Sequence, residues 1–226
     1  KMRTQILTLL NILIYGLVFS QEIEIIEKAD SIPNIKEKGL AFISDKTDLK
    51  DYYFIAKIKV KANDFNQILS GLQRKAIDFN ANAFKYIGKV ITNKETSVSF
   101  DLYSALPELI EKSRDNLEKN IIYFFGNDKK TQKFKIDKQK IELKPNDIYR
   151  YEIPKKKEVK INKGGFTGMT VFHYWKENQP VTFYAFGSGN ITGYGDGWSS
   201  IGLSINTGNI IELRNDFAYL LMELKK

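Results

Sequence analysis

The chain of 226 residues has no cysteine and a single histidine. Without cysteine the protein has no disulfide bonds, thiol chemistry or thiolate metal sites, so its stability must come from a packed core. The lone histidine, His173, excludes zinc sites built from several histidines and leaves a serine-type triad only one base. The Gly-x-Ser-x-Gly elbow of serine hydrolases is also absent. We therefore expect a protein with no metal, no cofactor and no enzymatic activity.

The chain begins with basic residues that are followed by an apolar segment. Lys1 and Arg3 precede the segment 6–19, which is shorter than the ~20 residues of a membrane-spanning helix. Ser20 suits a cleavage site before Gln21. This pattern predicts a secretory signal peptide over the first twenty residues, export to the periplasm or the medium, and no transmembrane span after cleavage. The Lys-, Ile- and Asn-rich composition and this cleavage site resemble exported proteins of Bacteroidetes.

Residues 21–105 read as a small α+β domain with a β-β-α-β-β order. Its helix is predicted to start at Asn63 or Asp64, both good N-caps, and to end by Asn80, because its apolar residues recur every three or four positions. The four strands are predicted from alternating apolar and polar residues at 40–43, 52–60, 83–90 and 96–103.

The helix exit carries a short motif, Ala76-Ile77-Asp78-Phe79-Asn80-Ala81-Asn82-Ala83. It resembles the Ala-x-x-(Leu)-Gly-Ala-Asn-Ala signature of the YbjQ-like and RcsF-like envelope domains, over about 65 residues. Asn80 replaces the usual Gly and also tolerates the left-handed conformation that ends a helix. The resemblance implies a fold and an envelope setting. It does not imply the disulfide-based signalling of RcsF-like members. Alternatively, Asn80 and Asn82 simply cap the helix and begin the next strand.

Residues 106–119 are predicted to form a linker helix, since Pro107 suits a first turn. Residues 120–226 are predicted to form an antiparallel β-sandwich or small barrel, because short strands alternate with turns. Those strands are predicted at 121–125, 133–136, 140–143, 148–153, 158–161, 169–175 and 181–186. The last segments, 209–213 and 217–224, are predicted to close the fold as a hairpin. A helix near the C-terminus is the alternative, since Leu, Met, Glu and Lys favour one.

The positive charge is concentrated in the second domain. The formal charge of +8 would fall to +6 on cleavage, and residues 129–163 contain 13 basic against 5 acidic side chains. The candidate anion-binding residues are Lys133, Lys135, Arg150, Lys155, Lys156 and Lys157. The expected partners are lipopolysaccharide, anionic glycans, lipid headgroups or another envelope protein, and nucleic acid is not expected. The alternative is a solvated Lys-rich face that discourages aggregation.

A Gly-rich aromatic segment spans residues 184–198. Aromatic rings on loops stack on sugars, and amide or carboxylate groups reach sugar hydroxyls. The candidate ligand-binding residues are Tyr184, Asn190, Tyr194, Asp196 and Trp198. A loop folded back onto the domain explains the same pattern. The sequence thus predicts an exported, non-enzymatic envelope protein with a binding or structural role. The alternative is a secreted carbohydrate-binding or carbohydrate-active protein, either one whose aromatic loop binds the glycan or one whose catalytic carboxylates are dispersed.

Overall fold

The computed structural model describes residues 21–31, 33, 35, 39–92, 96–127, 129–164, 168–186 and 210–226. Within these ranges the chain forms thirteen strands and three helices, a mixed α+β fold as predicted. The predicted signal peptide lies outside them. The strands of the first region are β1 (Glu22–Lys28), β2 (Ala41–Ile43), β3 (Tyr53–Ala62), β4 (Ala83–Ile91) and β5 (Thr96–Ser104).

These five strands form sheet 1 in the order β1-β3-β5-β4-β2. Strands β2 and β4 run parallel, and the other neighbours run antiparallel. The predicted β-β-α-β-β order is confirmed for β2 to β5 and the helix between them. The sequence analysis does not predict β1. Six of its seven residues are exposed at the sheet edge, so its sequence has no buried face from which to detect a strand.

Helix α1 (Phe65–Asp78) starts and ends where the sequence predicts. The backbone N–H of Gln67 donates to Oδ1 of Asp64 at 2.9 Å, which makes Asp64 the N-cap. Asn80 has a φ of 53°, the left-handed conformation expected just past a helix end. The apolar stripe of α1 packs on β3 and β5. Its buried residues include Ile68, Leu69, Leu72 and Ala76.

The second region forms two four-stranded sheets. Its strands are β6 (Ile121–Phe125), β7 (Gln132–Ile136), β8 (Gln139–Leu143), β9 (Ile148–Glu152), β10 (Glu158–Lys163), β11 (Met169–Tyr174), β12 (Thr182–Ala185) and β13 (Ile211–Leu213). Sheet 2 has the order β11-β10-β7-β8, and sheet 3 has the order β13-β12-β6-β9. The seven predicted strands are confirmed. The expectation of purely antiparallel pairing is wrong, because β6 and β12 run parallel.

Sheets 2 and 3 share one core. Phe124 of β6, Phe134 of β7 and Ile161 of β10 are buried in the same cluster. Burying a side chain of this size contributes about 1.5–3 kcal/mol. Because strand side chains alternate between faces, the residues next to these core positions in β7 and β10 point away from the core.

Helix α2 (Pro107–Asp115) lies within the segment predicted as a linker helix and ends four residues before residue 119. It begins with Pro107 in its first turn. Its residues Leu109 and Ile110 pack on a small cluster at one end of sheet 1, around Ala83 and Tyr103. The helix therefore belongs to the packing of the first region as well as joining it to the second.

The predicted closing hairpin is wrong, and the alternative helix is present as α3 (Asn215–Lys225). Strand β13 pairs with β12 instead of the following segment. Phe217 and Leu220 are buried in the core of sheet 1, whereas Ala218 is buried against sheet 3. A helix satisfies its own backbone hydrogen bonds, so it can place apolar side chains in two cores at once.

Candidate binding face

The outward face of sheet 2 brings together four lysines and two exposed aromatic rings. We call it the lysine–aromatic face. Its outward positions, assigned by alternation with the buried ones, are Lys133, Lys135, Lys140, Glu142, Glu158, Lys160, Asn162, Thr170, Phe172 and Tyr174. A shallow groove of about 460 Å³ runs along its basic side, where Lys133, Lys135, Lys140 and Asn162 contribute to its lining.

Two lysines of this face stand directly opposite each other. Lys135 of β7 is the cross-strand partner of Lys140 of β8. Like charges in this position destabilise a sheet. Among the described residues, no carboxylate forms an ion pair with either of them. By contrast, Lys133 is paired with Glu142 at 2.7 Å, which raises the pKa of Lys133 and lowers that of Glu142. The uncompensated charge of the face therefore includes Lys135 and Lys140.

The aromatic part of the face lies on β11. Phe172 and Tyr174 are 51% and 58% exposed, and they point to the same side because they are two residues apart on a strand. The Nζ of Lys160 lies 5.8 Å from the centre of the Phe172 ring. Glu158 is the cross-strand partner of Tyr174, and its hydrogen bond raises the pKa of the Tyr174 hydroxyl. Exposed rings beside a charge and a hydrogen-bonding group suit a ligand that is partly apolar and partly polar.

The predicted anion-binding residues divide into two groups in space. Lys133 and Lys135 lie on the lysine–aromatic face. Arg150 lies on β9 in sheet 3, where its guanidinium donates to Glu118 Oε1 at 2.9 and 3.1 Å. The remaining three, Lys155, Lys156 and Lys157, lie in the connection from β9 to β10, where the Nζ of Lys155 is 5.8 Å from the Trp175 ring centre. The structure does not bring these four residues to one anion site with Lys133 and Lys135.

The predicted sugar-binding residues are mostly outside the described ranges. Asn190, Tyr194, Asp196 and Trp198 all fall there. Tyr184 is described, and it is only 2% exposed in the core shared by sheets 2 and 3. Its ring is therefore not offered to a ligand in solvent, contrary to the predicted role.

His173 occupies the structural position that its strand context predicts. It lies on β11, and its Nε2 forms a hydrogen bond with the Tyr184 hydroxyl. Burial lowers the pKa of His173 and raises the pKa of Tyr184. A buried polar pair of this kind is satisfied by its own hydrogen bond. We find no role for it at the lysine–aromatic face, which lies on the other side of the strand.

Lys163, at the end of β10, points inward and is buried. Its ammonium donates to Gln132 Oε1 and lies 4.5 Å from the centre of the Phe186 ring. Burial lowers its pKa to about 8. The side chain thus belongs to the core and not to the exposed face.

A second polar region lies where the two regions meet. The carboxylate of Asp216, whose side chain is 18% exposed, accepts from the backbone N–H of Phe42 at 3.0 Å and lies 3.6 Å from an Arg114 nitrogen. Burial raises the pKa of Asp216. Glu118 is bound by Arg150 and by the Tyr123 hydroxyl. Both carboxylates are therefore committed to contacts that fix helices and strands.

Four residues of the face were missed by the sequence analysis: Lys140, Lys160, Phe172 and Tyr174. The Phe-x-Tyr spacing on a predicted strand is a signal that the two rings share a side. What the sequence does not show is that β10 pairs with both β7 and β11, which places the rings and the lysines on one sheet.

Comparisons with known proteins do not identify a relative of this chain. The chain matches no protein-family model, and no curated protein or solved structure is significantly similar to it. Across the residues that the structure describes, no three His, Asp or Glu side chains gather in a way that suits a metal ion. Within the same ranges, no helix has the length and apolar character needed to cross a membrane.

Proposed function

We propose that this protein is an exported, non-enzymatic binding protein of the cell envelope, and that the lysine–aromatic face holds an extended anionic polymer. In this proposal sheets 2 and 3 form a β-sandwich, in line with their common core. The basic start and apolar segment of the first twenty residues support export. The lack of cysteine is compatible with any compartment, since the core needs no disulfide.

The observation that carries the proposal is the Lys135–Lys140 pair. Two lysines at directly opposite positions of neighbouring strands, without a carboxylate partner in the described structure, repel one another. An anionic group placed between them removes that repulsion and gains attraction. Lys160 adds a third positive charge on the neighbouring strand. The face crosses four strands, about 14 Å at 4.8 Å per strand spacing, which suits an extended ligand better than a single ion.

The non-enzymatic part of the proposal is supported by the state of two carboxylates that lie where the two regions meet. Asp216 and Glu118 each have structural partners, as described above. A pair of catalytic carboxylates needs one acid and one base facing a common substrate space. Here each group is bound to a neighbouring arginine or backbone N–H instead.

The test measures binding of the purified chain to two anionic polymers, polygalacturonate and polyphosphate, with neutral dextran for comparison. We expect binding to at least one polyanion, and we expect it to weaken steeply with salt, because the Debye length falls from about 30 Å at 0.01 M to about 3 Å at 1 M. The variant Lys135→Gln/Lys140→Gln should bind about tenfold more weakly, the equivalent of two exposed ion pairs of up to about 1 kcal/mol each.

The matched control is Lys46→Gln/Lys50→Gln, which removes the same charge from two exposed lysines between β2 and β3. It should leave binding unchanged. Equal loss of affinity in both double variants would show that only net charge matters and would contradict a binding face on sheet 2. Absence of any polyanion binding at low salt would contradict the proposed function as a whole.

A further inference from the structure

We propose that the polymer bound by this face is an acidic polysaccharide, with sugar rings stacked on Phe172 and Tyr174 and carboxylates near Lys135 and Lys140. This inference rests on the proposed function and specifies the chemistry of its ligand.

The two rings stand on β11, which has one sheet neighbour, β10, within the described residues. Side chains two positions apart on a strand are separated by about 6.6–6.8 Å along it. The rings are thus neighbours on one side, and more than half of each residue is exposed. An aromatic face exposed to water is suited to a ligand that presents flat apolar surface and polar edges together. A sugar ring has both, since its C–H groups lie on its faces and its hydroxyls lie at its rim.

The groups around the rings are hydrogen-bonding groups as well as cations. Glu158 lies opposite Tyr174, and Lys160 lies opposite Phe172. The next row holds Asn162, whose Nδ2 donates to Thr170 Oγ1 at 2.8 Å. The Glu158 carboxylate and the Thr170 hydroxyl, next to the two exposed rings, are suited to hydrogen bonds with sugar hydroxyls. A phosphate beside Glu158 would instead meet a negative charge.

The charge density of the face also distinguishes polysaccharide from polyphosphate. Of the four lysines, Lys133 is neutralised by Glu142. Three remain, and Glu158 offsets part of their charge. No arginine, the side chain that binds phosphate in a bidentate way, is among the outward positions of the four strands. A polymer with one negative charge per sugar unit fits a face of low positive density better than a polymer with a charge on every phosphate.

The spacing of the two parts of the face predicts an oligosaccharide. From β11 to β8 the sheet spans three strand spacings, about 14 Å. A ligand that stacks on Phe172 and also reaches Lys140 must therefore extend across all four strands. A single acidic sugar would contact only one of the two parts, so affinity should rise with chain length until both are occupied.

The experiment compares three ligands of similar length: oligogalacturonate, its uncharged methyl ester and polyphosphate. The aromatic variant is Phe172→Ala/Tyr174→Ala, and the basic variant is Lys135→Gln/Lys140→Gln. We expect the aromatic variant to bind oligogalacturonate about tenfold more weakly, as for the loss of ring stacking, and to bind polyphosphate as the parent protein does. The basic variant should lose affinity for both anionic ligands. The methyl ester should bind more weakly than oligogalacturonate.

Two controls keep the result interpretable. Tyr53→Ala removes a similarly exposed ring, 55% exposed, from sheet 1 and should have no effect. Phe172→Leu/Tyr174→Leu keeps apolar bulk on the strand without an aromatic face, and it should lose the same affinity as the alanine variant. Unchanged oligogalacturonate binding in either folded aromatic variant would overturn the inference. If polyphosphate binding still depended on the lysines, the proposed function would stand; if neither anionic ligand bound the parent, both would fall.

Discussion

The outward faces of sheet 1 and sheet 2 both carry lysines, but the three lysines of β3 in sheet 1 all have carboxylate partners, whereas on sheet 2, among the residues that the structure describes, only Lys133 has one. On β3, three lysines alternate along the strand and each faces a carboxylate on a neighbouring strand. These pairs are Lys57–Asp101 at 3.8 Å, Lys59–Glu24 at 3.6 Å and Lys61–Glu22 at 2.9 Å. On sheet 2, Lys135 faces Lys140 instead.

The two faces therefore differ in how many of their lysines are available for a ligand. Exposed ion pairs contribute little to stability, about 0–1 kcal/mol, but they occupy the charge that an anion would otherwise bind. The face of sheet 1 is internally neutralised, and the lysine–aromatic face is not. A count of lysines along the chain would not separate the two, since both strands read as alternating Lys and apolar residues.

The largest expected effect on the free energy of unfolding is that of a substitution at Asn82, in the first region. Its Nδ2 donates to the Ala105 carbonyl at 2.7 Å, and the Ala105 N–H donates to its Oδ1 at 2.9 Å, both buried. Asn82→Ala leaves two buried backbone groups without partners, so we expect a loss of about 2–4 kcal/mol in the free energy of unfolding, measured with urea. On the lysine–aromatic face, Asn162→Ala should cost less than about 1 kcal/mol. Similar losses at the two sites would contradict the comparison.

The motif around Asn82 predicts the position of this residue but not its hydrogen bonds. The sequence predicts that Asn80 ends α1 and that Asn82 begins a strand, and both positions are as expected. The double hydrogen bond to Ala105 was not predictable, because Ala105 is 23 residues away and meets Asn82 only when β4 and β5 pair. A local propensity locates the turn, and the tertiary contact decides what the side chain does there.

A smaller effect concerns Lys163, a buried lysine that belongs to neither face. Its pKa is about 8 when folded and 10.5 ordinarily, so between these pH values the unfolded chain holds a proton that the folded chain has lost. Stability contributed by this group therefore rises as pH increases from about 8 to 10.5. We expect Lys163→Met to remove this rise, up to about 3 kcal/mol for a shift of this size, in urea unfolding measured across that range. An unchanged pH profile in the variant would show that Lys163 keeps an ordinary pKa.

The smallest effect should differ in sign between the two faces. Lys57→Glu places a second negative charge beside Asp101 and should destabilise the protein by about 1 kcal/mol. Lys135→Glu converts a repulsive Lys–Lys pair into an attractive one, so it should stabilise by about 0.5 kcal/mol while weakening polyanion binding. Thermal unfolding at low salt measures both. If both substitutions destabilise the protein, the repulsion assigned to Lys135 and Lys140 is incorrect.

Two errors in the predicted fold have a common physical origin. Strand β1 alternates Glu and Ile but buries almost nothing, so burial does not mark it as part of a sheet. The sequence predicts a strand where the structure has helix α3, because the apolar residues of this helix are not confined to one side. Phe217 and Leu220 are buried in one core, and Ala218 is buried in another. Periodicity indicates an element only when one face is buried.

The amino-acid sequence was sufficient to predict the mixed α+β class, helix α1 with its cap at Asp64, and most strands of both regions. These features depend on hydrogen bonds and periodicities within a few residues. It also placed Lys133 and Lys135 on one side of one strand. Three features depend on the tertiary structure. Strand β10 lies between β7 and β11, Lys135 is the cross-strand partner of Lys140, and Phe172 and Tyr174 lie on the same sheet as these lysines. Strand order depends on contacts between distant segments and on the burial of a common core, and these energies have no counterpart in the local sequence.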